Sequence, residues 1–116
     1  MPDEVIDVES LKRLLEVIGG DPEDLQELLE DFEQDAPKTL KEMSEAAQSN
    51  DLNKLRILSH ALKSNARDFG AVGLARACEK LEHDCKEDAV DDANMRVDEI
   101  SALLTNAREA LANVSI

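Results

Sequence analysis

The chain holds two histidines, and one of them, His60, lies in the run Ser59-His60-Ala61-Leu62-Lys63-Ser64 among residues suited to handling phosphate. Winding residues 52–69 as a helix, at about 100° per residue, gathers Leu52, Leu55, Leu58, Leu62, Ala66 and Phe69 into one apolar stripe. His60 then falls roughly 140° from that stripe and faces water. Arg56, Lys63, Ser64 and Arg67 stand at i−4, i+3, i+4 and i+7 from it, so three cations and a hydroxyl share its face. A neutral imidazole is a nucleophile, and Lys63 and Arg67 would screen a phosphoryl group placed on it.

Five helices are expected to position that ring. Asp7 caps a short first helix bearing Val8, Leu11, Leu14, Leu15 and Ile18, which Gly19-Gly20 ends. Asp21 as N-cap with Pro22 at the first helical position starts the second. Its stripe of Leu25, Leu28, Leu29, Phe32, Ala36, Leu40, Met43 and Ala47 keeps helical spacing through Pro37. That predicts a kink there, with a split of the helix as the alternative. Asn50 or Asp51 caps the third helix, which Gly70 follows. The fourth runs from about Val72 to Lys86 with Leu74, Ala77, Cys78, Leu81 and Cys85 inward, and the fifth follows Asp91-Asp92 and buries Val97, Ile100, Leu104, Ala107, Leu111 and Val114. Short connections between long helices imply an all-α fold: an up-and-down antiparallel four-helix bundle with an additional short N-terminal helix as a lid. Residues 1–116 read as a single domain, with no internal repeat or linker.

Folding the third and fourth helices about Gly70-Ala71 brings residue 60 level with residue 82, each eleven residues from position 71. Glu82 is therefore a candidate to accept a hydrogen bond from one ring nitrogen of His60, fixing its tautomer and orientation. Lys86, one turn on, is a candidate to reach phosphoryl oxygens. The remaining chemical groups read as structural. Cys78 and Cys85 are seven residues apart on one helix, about 10 Å and too far for a disulfide, and both face the core. His83 points to solvent, away from the cysteines, so no metal site is expected from the three.

The His60 segment resembles the histidine-containing phosphotransfer (HPt) domains of two-component relays. Their pattern is a His, one variable residue, Leu, Lys, then Gly or Ser, with a Gly-Ala pair at the end of the same helix. His60, Leu62, Lys63, Ser64, Gly70 and Ala71 fall in register with it. Gly19-Gly20-Asp21-Pro22 is similar to the turn after that family's first short helix, and Leu74, Cys78, Leu81 and Glu82 fit its next one. The departures are Ser59, where the family often has Ala, and Ser64 and Asn65, where many members have Gly and Ser; the Ser64 side chain leaves less room above the ring.

The resemblance implies a phosphorelay carrier. Its His60 Nε2 would take a phosphoryl group from the aspartyl phosphate of one receiver domain and deliver it to the Asp of another. The implied partners are response-regulator receiver domains and a hybrid histidine kinase. No cofactor is expected on this chain, and Mg²⁺ is expected on the receiver. The chain reads as a phosphocarrier rather than an enzyme. It has no Gly-rich phosphate loop and is too short for a kinase ATP-binding domain. The docking face is expected around Ile57, an apolar residue about 200° from the stripe centre, with Ala61, Arg56 and Gly70.

Charge supports the same division of labour. Residues 1–50 hold 15 acids against 4 bases, whereas residues 51–70 hold 4 bases against Asp51 and Asp68, so the His60 segment is +2 within a chain of net charge −14. Such an acidic body repels nucleic-acid backbones. No apolar stretch approaches the roughly 20 residues of a membrane span and no leader-like segment opens the chain, so a soluble cytoplasmic protein is expected; the expected form is a monomer. Two other readings are open: a phosphoacceptor module excised from a larger histidine kinase, which keeps the same fold and pattern, and a non-transferring acidic helical adaptor for a basic partner, which the His, Lys and Gly-Ala pattern argues against.

Overall fold

The computed structural model describes residues 5–114, which form five helices and no strand. They are α1 (Val8–Val17), α2 (Pro22–Gln48), α3 (Leu52–Asp68), α4 (Val72–Lys86) and α5 (Ala93–Asn113). α2 packs against α3 and α5, and α4 against the same two, so α2 to α5 close a four-membered ring while α1 covers α2 and α3. The expected bundle with a short leading helix is the fold.

Local chemistry sets the helix ends. The Asp7, Asp21 and Asp51 carboxylates accept the N–H groups of Glu9, Glu23 and Lys54 at 3.2, 2.9 and 3.1 Å, satisfying donors that a first turn leaves free. α1 to α4 all close on one motif, in which the residue after the cap takes the left-handed conformation and the following N–H reaches back five residues. The left-handed residues are Gly19, Asn50, Gly70 and Asp88. The closing bonds are Gly20 to Leu15, Asp51 to Ala46, Ala71 to Ala66 and Ala89 to Asp84, at 2.8 to 2.9 Å. Asp51 thus closes α2 and caps α3, and Ala71 closes α3 and opens α4.

The core is one cluster built from Leu11, Phe32, Met43, Leu55, Leu62, Leu74, Cys78, Leu81, Ile100 and Leu104 with their neighbours. Phe32 and Phe69 meet at 5.0 Å between ring centroids, joining α2 to the α3–α4 turn. α2 runs on through Pro37. Proline supplies no N–H and crowds the carbonyl four residues back, but Phe32, Ala36 and Met43 are buried on both sides of it and hold the two halves in one helix.

Two expectations need correction. The α3 stripe is wider than one line of leucines: Leu52 and Leu58 are only half-buried, whereas Ser59 has no exposed surface. α3 is wedged among α1, α2 and α4, so a broader arc of it is covered. Gly70, expected on the docking face, is buried. Its carbonyl accepts the Asp7 N–H at 2.7 Å, and a Cβ at this position, with φ at +75°, would collide with the Asp7 carbonyl oxygen. Glycine is therefore required for α1 to seat on the turn, and Gly70 has no face to offer a partner.

Among the described residues the Ser59 hydroxyl finds no hydrogen-bond partner, although its oxygen is buried. An unsatisfied buried hydroxyl costs free energy that an alanine methyl does not. Ser59→Ala is expected to stabilise the bundle by about 1 kcal/mol, read as a higher urea midpoint with unchanged slope. A lower midpoint would mean that the hydroxyl is satisfied in solution.

Candidate functional site

α3 and α4 lie antiparallel across the tight Gly70-Ala71 turn, and the pairing of positions 60 and 82 follows. The His60 side chain is 58 % exposed, and its Nδ1 lies 2.7 Å from Glu82 Oε2. The other carboxylate oxygen, Oε1, accepts a hydrogen bond from Lys63 Nζ at 2.6 Å. One carboxylate thus holds both the ring and the lysine. The Glu82 side chain is 20 % exposed and the Lys63 side chain 12 %.

The pair fixes the proton on the imidazole. The Lys63 hydrogen bond is the main cause holding the Glu82 carboxyl below the ordinary carboxylate value; burial opposes it, and the His60 hydrogen bond adds to it. An ionised carboxylate can only accept, so in the neutral ring the proton sits on Nδ1 and donates to Oε2. The lone pair is left on Nε2, which has no hydrogen-bond partner among the described residues. Below the site, burial first and the Glu82 charge second push the Cys78 thiol up to about 12, with Lys63 opposing. Cys78 is therefore a protonated packing residue. Burial also raises the Cys85 thiol, and His83 is exposed, apart from both.

The depressed Glu82 pKa gives a signed pH dependence. Stability from a carboxylate whose folded pKa is lowered is fully present above its unfolded value, here near 4.5, and is lost as pH falls through the folded value. The parent is expected to lose more stability than Glu82→Gln on acidification below pH 4.5, measured as urea midpoints at stepped pH. Parallel curves would mean that Glu82 gains nothing from its partners.

The other expected participants are placed less uniformly. Ile57 is 52 % exposed and Ala61 is exposed beside it. Arg56 is half-buried and donates to Asn53 Oδ1 at 3.0 Å. Ser64 Oγ donates to the His60 carbonyl at 3.2 Å, so its hydroxyl is already engaged. Arg67 turns across to Glu79, with Nη2 3.3 Å from Oε2, and is not gathered with the ring. Lys86 is exposed and forms no ion pair among the described residues.

Lys63 departs most from its expected place on the water-facing side of α3 beside His60. It is instead mostly covered and bound to Glu82. Lys63→Ala is therefore expected to cost about 1–3 kcal/mol in stability, as for a lost hydrogen bond to a charged group, and to slow phosphoryl transfer by loosening Glu82. Urea unfolding and stopped-flow transfer kinetics would check both. Unchanged values in the two assays would show the contact to be idle.

Comparison with known proteins gives the family. The family model of the Hpt domain matches residues 27–110. The phosphorelay protein LuxU of Vibrio vulnificus (strain YJ016) is 36 % identical over 90 residues, 77 % of this chain and 76 % of that one. LuxU of Vibrio harveyi is 29 % identical over 110 residues, 95 % of each. Among solved structures, histidine-containing phosphotransfer protein B (HptB) from Pseudomonas aeruginosa PAO1 has the same fold. It superposes with a TM-score of 0.82 at 24 % identity, covering 95 % of this chain and 97 % of that one. The chain belongs to the Hpt domain family. No helix among the described residues is long and apolar enough to cross a membrane.

Proposed function

We propose that the protein carries a phosphoryl group on His60 Nε2 between receiver-domain aspartates in a phosphorelay. The observation that carries this reading is the 2.7 Å contact between His60 Nδ1 and Glu82 Oε2, which leaves Nε2 as the nucleophilic nitrogen on an exposed ring. In the forward step the Nε2 lone pair attacks phosphorus, forming N–P while the P–O bond to the receiver Asp breaks and that residue leaves as carboxylate. The Nδ1 proton stays where it was. The phosphorylated ring is then an imidazolium, and the adjacent Glu82 carboxylate stabilises its positive charge.

That arrangement makes the step reversible in function. A ring kept protonated on Nδ1 is a good leaving group, so the phosphoryl group can pass on to a second Asp when Nε2–P breaks. Lys63 acts through Glu82, keeping it ionised and oriented. The partner receiver is proposed to bring the acidic pocket and Mg²⁺, since phosphoryl transfer chiefly needs positioning and charge neutralisation. This chain supplies the nucleophile and the surface that docks. Receiver domains and a hybrid histidine kinase are its proposed partners, and a monomer in the cytoplasm its proposed working form.

The test is ³¹P NMR of the full chain after incubation with a phosphorylated receiver. The expected spectrum carries one phosphohistidine resonance assigned to Nε2 of His60. Attachment through Nδ1, or no phosphohistidine at all, would overturn the reading.

A further inference from the structure

A second concentration of positive charge lies outside the His60 site. On the flank of α4 that meets α5, Arg76, Ala77 and Lys80 face Arg96, Glu99 and Ile100 across a groove of about 290 Å³. Three cations line it against one acid, in a chain with 27 acids and 13 bases. Arg76 and Lys80 are four residues apart on one helix, a spacing at which like charges repel. Both are exposed, and among the described residues neither forms an ion pair.

Arg96 differs from its two companions. Its side chain is 16 % exposed and anchored, with Nη2 3.0 Å from Asp84 Oδ2. Nη2 itself is buried against that carboxylate, so the guanidinium is held fixed at the groove wall. Beneath the cations, Ile100 is buried and Ala77 half-buried, which gives the groove an apolar floor.

We propose that this α4–α5 groove binds a small phosphate-bearing molecule. Guanidinium forks match phosphate oxygens in pairs, and a lysine adds a mobile point charge. An anion between Arg76 and Lys80 would replace their mutual repulsion with two attractions. The volume lies at the lower edge of small-ligand sites, which begin at about 300 Å³. That size suits a phosphomonoester with a single ring or short carbon body on Ala77 and Ile100. The groove lies between α4 and α5 and His60 does not line it, so the proposal does not depend on the role of His60.

The experiment is an amide-resolved NMR titration of the full chain with phenyl phosphate, with inorganic phosphate, and with sodium chloride at matched ionic strength. The expected result is saturable shifts at residues 76, 77, 80, 96, 99 and 100 with the phosphates and unsaturated drift with chloride. Tighter saturation by phenyl phosphate identifies a phosphomonoester, and equal saturation identifies free phosphate; either upholds the site. The exposed pair Arg76→Gln and Lys80→Gln should together weaken the binding at least tenfold, while His60→Gln should leave it unchanged. Phosphate shifts that merely track chloride, or that centre on residues 56–67, would overturn the proposal. So would undiminished affinity in the folded double variant.

Discussion

His60→Gln is expected to reduce labelling by a phosphorylated receiver to background while the protein stays folded. The parent should acquire a label that is lost in acid and kept in base, as a nitrogen-linked phosphoryl group is. Glutamine is the informative replacement because its amide can still donate to Glu82 Oε2, which His60 Nδ1 meets at 2.7 Å, yet its nitrogen has no basic lone pair. The position is exposed, so stability should move by no more than about 0.5 kcal/mol. His83 provides the internal control, being the other histidine and exposed in the next helix. Labelling of the variant to the parent's level, or label mapped to His83, would refute the assignment.

Ile57→Asp is expected to weaken receiver binding by about 1–3 kcal/mol, roughly 5- to 150-fold in Kd. Ile57 is 52 % exposed and precedes His60 by three residues, so it stands beside the ring on the outer face of α3. Ala61 adjoins it and leaves room for a partner backbone. A single exposed apolar side chain is ordinary on a protein surface, but this one borders the proposed nucleophile, where a docked receiver would exclude water. Introducing a carboxylate there would also set like charge against the acidic pocket proposed for the receiver. The loss should appear mainly in the dissociation rate, whereas Arg56→Ala should lower the association rate and reduce its salt dependence. Calorimetric titration with the cognate receiver gives the affinity, and equal values for Ile57→Asp and parent would place the docking face elsewhere.

Much of the architecture is legible in the sequence because it is written in short-range chemistry. Asp7, Asp21 and Asp51 announce helix starts, Gly19 and Gly70 announce stops, and the α4 start at Val72 follows from Gly70. Glu82 is legible for the same reason, since a tight turn between two straight helices fixes which residues face each other. The less legible features depend on a third element. Ser59 is buried because α3 has neighbours on more than one side, and Gly70 is covered because α1 returns to it from the far end of the sequence. Long cationic side chains are the least readable: a helical wheel places the Cα of Lys63 and Arg67 but not the carboxylates, Glu82 and Glu79, that capture their ends. The ambiguity at Pro37 is resolved by the core on either side of it, which a local steric argument does not contain.

The double duty of Ala71, which closes α3 and opens α4, leaves no slack between His60 and the residue that orients it. The spacing therefore behaves like a reading frame. With the helix-terminal bonds kept, one residue inserted between Val72 and Leu81 would put Leu81 in the place of Glu82, and one deleted would put His83 there. Neither shift removes any residue of the site, yet each would leave the ring beside a leucine or a second imidazole and leave Lys63 without its carboxylate. The geometry around His60 is thus stored in a count of residues as well as in their identities, and length changes within α4 should be far less tolerated than in the connecting segment 87–92 that follows it.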